Sequence, residues 1–216
     1  MIDTIFFDVG NTLRIVIPDK DFIANAEAEL MKLVQSTEDH DSFFAKLEER
    51  WVKYRKYAKT SLLDAGEMEL WRDHDGRRVP RPDVKSTLEE LDRRGYTMGI
   101  IANTITETEI PDWMFEDKVA RYFKTVILSS KVRIRKPDPA IYFLACRSIN
   151  KEPASCAYVG DNPIRDVQGT RDAGFGMMIR IDEPDTIKKE PQEIKLHPDY
   201  TITKISDLLA IFKPLN

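Results

Sequence analysis

Five short runs of apolar and β-branched residues recur along the 216-residue chain with helical stretches between them: Thr4-Ile5-Phe6-Phe7, Met98-Gly99-Ile100-Ile101, Thr125-Val126-Ile127-Leu128, Ala157-Tyr158-Val159 and Met177-Met178-Ile179-Arg180-Ile181. A strand that is apolar at consecutive positions must be covered on both faces, which is the situation of strands in a parallel sheet. Parallel neighbours also need a crossover of a dozen or more residues, and the intervening stretches supply it. Two of those stretches carry helical stripes, Val84, Leu88 and Leu91 in one and Ile141, Leu144 and Ala145 in the other. The pattern predicts an α/β chain built on a parallel sheet with helices packed against it.

One interval breaks the rhythm. The first strand ends near residue 8 and the next of this kind begins near 97, so about 80 residues separate elements whose crossover needs far fewer. Apolar positions inside the interval keep a helical period: Ile23, Ala26, Leu30 and Val34; Phe43, Phe44, Leu47, Trp51, Tyr54 and Ala58; Ala65, Met68 and Trp71. Asp19 or Asp21, and Asp64, are suited to cap these helices. Residues 15–81 are therefore expected to form a helical domain inserted into a core of residues 1–14 and 82–216. Val79-Pro80-Arg81-Pro82, restricted in backbone by its prolines, suits the hinge back into that core. Arg50 to Lys59 interleaves basic residues with Trp51, Tyr54 and Tyr57 and invites a nucleic-acid reading. At about 100° per residue, however, Trp51, Tyr54 and Ala58 share the apolar stripe while Lys53 and Lys56 lie opposite, as in a helix with one packed and one solvated face.

Charge and cysteine usage narrow the function classes. Lys and Arg number 33 against 37 Asp and Glu, a formal charge of −4, so no global positive field is available to hold a nucleic acid, and a small anionic substrate fits better. No apolar run approaches the roughly 18 residues of a membrane span, and Met1-Ile2-Asp3-Thr4 lacks the basic start and apolar stretch of a signal peptide, so a cytoplasmic chain with no membrane partner is expected. Cys146 and Cys156 are not spaced as CxxC, and His40, His74 and His197 are scattered. Packing, not zinc or a disulfide scaffold, is the expected role of the thiols.

Four short motifs sit at or just beyond strand ends. Asp8-Val9-Gly10-Asn11-Thr12-Leu13 follows the first strand and puts a carboxylate at the carboxyl edge of the sheet, where ligands of open α/β folds bind. Tyr158-Val159-Gly160-Asp161-Asn162, followed by Asp166, places two carboxylates at a strand-to-helix turn where they can face one cleft and hold a hard cation through oxygen. Lys136-Pro137-Asp138-Pro139 closes a basic run that starts at Lys131, and Ile100-Ile101-Ala102-Asn103-Thr104 ends the second main strand in polar groups. Each has a plainer reading when taken alone. Asp8 suits a turn, Asp161 or Asn162 a cap for a helix starting at Pro163, Lys136 a solvated charge, and Asn103 and Thr104 ordinary strand-end polarity.

Together and in this order the motifs resemble those of the haloacid dehalogenase-like hydrolases: DxDxT, a Ser or Thr after the second strand, a Lys often within KPDP, then GDxxxD. The resemblance covers the whole chain, including a helical cap between the first and second motifs, and implies a Rossmann-like parallel sheet core. It further implies a phosphomonoester hydrolase that uses Mg2+ and an aspartyl-phosphate intermediate on a small phosphorylated metabolite. Residue by residue, it implies Asp8 as nucleophile and Lys136 as the cation screening it from the phosphate. Asp8, Asp161, Asp166 and the main-chain carbonyl of Gly10 would hold the metal, and Asn103, Thr104 and Lys136 would contact the substrate.

Two positions depart from the family pattern. Gly10 stands where most of its phosphatases have a second Asp as general acid, and Ala102 stands where the family has its phosphate-binding Ser or Thr. These departures keep two alternatives open. One is a catalytically impaired member that binds a phosphorylated ligand or partner. The other is a haloacid dehalogenase, whose first motif also lacks the second Asp but which uses no metal and does not keep GDxxxD. A response-regulator receiver, which also forms an aspartyl-phosphate on a parallel sheet, has no inserted helical unit of this size.

Overall fold

The computed structural model describes residues 1–54, 75–190 and 195–215, with the backbone alone over 48–54. The expected helical positions Ala58, Ala65, Met68 and Trp71, the cap Asp64, the Trp51 and Tyr54 side chains, and the rest of the basic stretch to Lys59 lie outside the described residues.

Strands β1 (Thr4–Phe7), β2 (Arg14–Ile17), β3 (Arg77–Pro80), β4 (Thr97–Ala102), β5 (Phe123–Leu128), β6 (Cys156–Gly160), β7 (Met177–Ile181) and β8 (Tyr200–Ile202) follow one another along the chain. Six of them form one sheet in the order β5-β4-β1-β6-β7-β8, and all five neighbouring pairs are parallel. This is the α/β parallel-sheet architecture that the apolar runs imply, in the Rossmann-like form that the resemblance implies. The register sets the position of everything functional: Phe7 lies opposite both Ile100 and Val159, so β1, β4 and β6 end at the same edge and the residues that follow them emerge together.

Alternate side chains divide into two apolar layers, as the period of a strand requires. Ile5, Phe7, Ile100 and Val159 join one layer with Val84, Leu88 and Leu91 of helix Val84–Arg93. Phe6, Ile101, Tyr158 and Met178 join the other with Ile141, Tyr142, Ala145 and Cys146 of helix Pro139–Ser148, and Leu144 packs at its margin. Asp138 starts that second helix by accepting from Ala140 N (2.9 Å), with Pro139 in the first turn. Both cysteines are buried free thiols in this layer, their sulfurs 3.7 Å apart. Among the described residues no helix is long and apolar enough to cross a membrane.

The chain divides into two compact units, Met1–Ile15 with Pro80–Asn216, and Val16–Val79. Among the described residues of the second unit, helical periodicity fits Lys20–Leu33 and His40–Tyr54 but not the ends of the inserted stretch. Arg14-Ile15-Val16-Ile17 is a β-branched run that forms β2, and β3 pairs with it in a separate two-stranded sheet. In the second unit Asp19, not Asp21, caps helix Lys20–Leu33 by accepting from Phe22 N (3.1 Å), and Ala26 and Leu30 are buried. His40 begins helix His40–Tyr54 with its ring nitrogens 2.9 Å from Glu27 and Asp41, and these partners raise its pKa above the ordinary imidazole value.

In the first unit Arg81 N donates to Leu13 O at 3.0 Å, so the chain leaves and re-enters at adjacent points. Excising residues 16–79 and joining the ends by a short linker is expected to leave a folded parallel-sheet unit with a cooperative thermal transition. A product with helical far-ultraviolet but no near-ultraviolet circular dichroism would contradict it.

Candidate active site

Strand-end geometry builds the site. Beyond β1 the ladder continues for one more residue, Asp8 N donating to Val159 O at 2.9 Å, after which Thr12, Leu13 and Arg14 all direct their N–H groups at Val9 O (3.2, 2.9 and 2.9 Å). Arg81 fixes this turn by donating through Nη2 to Asn11 O and through Nε to Thr12 O, each at 2.9 Å, while pairing with Glu183. At the end of β6 a Cβ on Gly160 would lie 2.5 Å from Cγ and Oδ2 of Asp166, so glycine is the residue that lets this carboxylate pack on the strand end. Asn162 then caps the π-helical turn Pro163–Gln168, accepting from Ile164 N (3.0 Å) and Arg165 N (2.8 Å), and the turn carries Asp166 inward.

Asp8, Asp161 and Asp166 are all buried and offer oxygens within 4.8 Å of one another. Lys136, whose side chain has no exposed surface, points its ammonium at Asp166 Oδ1 (2.7 Å), Asp8 Oδ1 (3.0 Å) and Tyr158 OH (2.8 Å). Tyr158 in turn donates to Ile101 O at 2.9 Å. Asp166 Oδ2 accepts from Asn162 N (2.9 Å), so both oxygens of that carboxylate are held. Asp161 is different. Its Oδ2 accepts from Thr186, while its Oδ1 is buried without a hydrogen-bond partner among the described residues.

Three buried carboxylates stand close together here and the one buried ammonium pairs with two of them, Asp8 and Asp166, but not with Asp161. Arg165 lies near the cluster but is partly exposed and paired with Glu190 at 3.4 Å. Burial, reinforced by Asp166 and Asp8, pushes Asp161 up to about 7. Asp8 is raised by burial as well, with Lys136 opposing the shift. Burial works against the Lys136 charge, yet the adjacent Asp166 and Asp8 hold its pKa above the ordinary lysine value. Tyr158 is raised well above an ordinary tyrosine by burial and then by Asp166 and Asp8, and stays a neutral donor.

Of the positions singled out in the sequence, Asp8, Lys136, Asp161 and Asp166 converge in this cluster. Gly10 is exposed on the turn, with nothing among the described residues within 4 Å of where its Cβ would be. Asn103 grips the Lys136 main chain on both sides, donating from Nδ2 to its carbonyl (3.0 Å) and accepting at Oδ1 from its N–H (2.9 Å). Thr104 is buried against the neighbouring helix, its hydroxyl 2.8 Å from Ser130 Oγ and its N–H on Ser129 Oγ (3.0 Å). Tyr158 and Thr186 were not signalled as site residues: one reads as a core aromatic within a strand, and the other lies outside every motif.

Residues 2–174 match the haloacid dehalogenase-like hydrolase family. The chain is 28% identical over 138 residues to a glyceraldehyde 3-phosphate phosphatase of Methanopyrus kandleri, covering 63% of this chain and 58% of that protein. It is 32% identical over 141 residues to a phosphoserine phosphatase of Thermus thermophilus, covering 63% and 51%. It thus spans little more than half the length of these relatives. In fold it resembles the crystal structure of a 2-haloacid dehalogenase from Pseudomonas syringae, with a TM-score of 0.69 at 19% identity over 98% of both chains. Taken with the order of its motifs and their convergence at one sheet edge, the match establishes that the chain belongs to the haloacid dehalogenase-like hydrolases.

A carboxyl group whose pKa is higher in the folded than in the unfolded chain contributes stability while protonated and loses it as pH rises through the folded value. For Asp161 that window runs from the ordinary carboxyl value of 3.8 up to about 7. The metal-free protein is therefore expected to lose stability as pH rises from about 4 to about 7, with this group contributing a slope of roughly 1 kcal/mol per pH unit. Asp161→Asn should flatten the dependence of the melting temperature in that window. An unchanged slope would contradict the assignment.

Proposed function

We propose that the chain is a magnesium-dependent phosphomonoester hydrolase that acts on a small phosphorylated metabolite, with Asp8 as nucleophile. One observation carries this reading: three buried carboxylates lie within 4.8 Å of one another, a single ammonium pairs with two of them, and the third, Asp161, keeps an unpartnered oxygen. An uncompensated buried charge is strongly unfavourable, and an all-oxygen carboxylate set is what magnesium takes. Asp161, Asp8 and the Gly10 carbonyl would hold the ion. Asp166, with both oxygens already engaged, would support it from behind. Magnesium bound there would supply the charge neutralisation that lets a carboxylate approach a phosphate dianion.

In this mechanism an Asp8 oxygen forms a bond to phosphorus as the ester P–O bond breaks, and the leaving oxygen takes its proton from solvent. Water then attacks the aspartyl-phosphate, which releases phosphate and restores Asp8. Lys136 places a fixed point charge beside the nucleophile, and Asn103 positions that lysine through its main chain. With the Asn103 carboxamide and the Thr104 hydroxyl both engaged internally, Lys136 is the one of the three expected substrate contacts whose charge stands beside Asp8. The unit Val16–Val79 is assigned the role of a cap that selects the substrate.

Hydrolysis of p-nitrophenyl phosphate is expected to require added Mg2+ and to fall by about a thousandfold or more in Asp8→Asn, with the melting temperature retained. Residual activity within tenfold of the parent would remove Asp8 from the role. Magnesium binding with no turnover across a panel of phosphate esters would favour the ligand-binding alternative.

Gly10 sets the leaving-group preference. A positioned general acid contributes about 10²- to 10⁴-fold, and most when the departing oxygen is a basic alkoxide. Aryl and acyl phosphates should therefore be hydrolysed much faster than sugar phosphates. The space around Gly10 admits a side chain without a clash, so Gly10→Asp is expected to raise kcat/KM for an alkyl phosphate selectively. An unchanged ratio between one aryl and one alkyl substrate would show that proton transfer is not limited by this position.

A further inference from the structure

We propose that Thr186 is a positioning residue for Asp161, part of a brace that ties the segment after β7 to both metal-binding loops. This role presupposes the magnesium site proposed above. Thr186 lies in helix Pro184–Lys189 and is 4% exposed. Its hydroxyl donates to Asp161 Oδ2 and accepts from Asn11 Nδ2 at 3.0 Å. The direction of this chain is fixed by chemistry: a carboxylate oxygen only accepts, so the hydroxyl proton goes to Asp161 and the second contact must come from the amide N–H of Asn11. Asn11 is the residue after Gly10 and sits in a left-handed conformation at φ 61°.

A second tie runs in parallel. Glu183, three residues before Thr186, pairs with Arg81, which donates to the carbonyls of Asn11 and Thr12. The Gly10 turn and the Asp161 strand end are thus held through a common segment that contains none of the four motifs. The effect on Asp161 is specific. With Oδ2 anchored to Thr186, the carboxylate is fixed about its terminal torsion, and Oδ1 is the oxygen left without a partner. Groups that orient a metal ligand in this way are worth about 10- to 100-fold in metal affinity or activity.

Magnesium titrations of the full chain, read by thermal shift and by calorimetry, test the role. Thr186→Val keeps the shape of the side chain and removes both hydrogen bonds, and is expected to raise the Mg2+ Kd by about 10- to 100-fold. At saturating Mg2+ its KM for p-nitrophenyl phosphate should stay near that of the parent, and Thr186→Ser should restore parent-like magnesium affinity. Parent-like Mg2+ binding by Thr186→Val would overturn the proposal. So would a loss in Thr186→Ser as large as in Thr186→Val, which would mark a packing effect. If Thr186→Val does not fold, Asn11→Gly, which suits the positive φ and removes the donor to Thr186, is expected to weaken Mg2+ binding in the same direction, and an unchanged Kd would overturn the role. Failure of the parent itself to bind Mg2+ would remove the metal site and the brace with it, whereas binding by the parent together with an unaffected Thr186→Val removes only the brace.

Discussion

The ammonium of Lys136, fully enclosed between Asp8 and Asp166, is the interaction on which the site depends. Taking one charge out of water costs several kcal/mol, and it persists only where opposite charges and hydrogen bonds replace the lost hydration. Here the ammonium donates to Asp166 and to a tyrosine hydroxyl that is itself anchored to the β4 backbone at Ile101, and it pairs with Asp8. Asn103 at the end of β4 fixes the lysine main chain. Four separated segments, the ends of β1, β4 and β6 and the KPDP loop, are thereby joined at one point. Loss of the ammonium would leave two buried carboxylates without their partner, a defect of the 3–5 kcal/mol class.

The cluster exists because of the sheet. Parallel strands in register at Phe7, Ile100 and Val159 deliver their following residues to a single edge, and the period-2 division of side chains lets both faces be covered by largely apolar layers. Gly160 adds a local condition, since any side chain there would occupy the space of the Asp166 carboxylate. Burial, reinforced by the neighbouring Asp166 and Asp8, disfavours ionisation of Asp161 in the metal-free chain, and a divalent cation in the same place would offset that penalty.

Much of this was legible in the residues and some was not, for identifiable reasons. The strands β1 and β4 to β7 declared themselves because strands covered on both faces have continuous apolar runs. At the sheet edge β8 does not, since Tyr200 is 47% exposed and Ile202 is its one buried side chain. Residues 15–17 of β2 fall inside the expected helical unit although their Ile-Val-Ile run favours an extended chain. Asp8, Lys136, Asp161 and Asp166 could be picked out because motif spacing at strand ends fixes where carboxylates and cations emerge. The tasks of Asn103, Tyr158 and Thr186 could not: each depends on a hydrogen bond to a residue 25 or more positions away, and an amide, a core aromatic and a threonine have no local pattern that reveals such a partner.

The most direct test of the account is a crystal structure of the full chain grown with Mn2+ in place of Mg2+ and located by anomalous scattering. The account predicts one ion at the edge of β1 and β6, with oxygens of Asp161 and Asp8 at about 2.0–2.2 Å and Lys136 still paired to Asp166. A cluster that stays free of metal at millimolar Mn2+, or an ion held elsewhere on the chain, would contradict it.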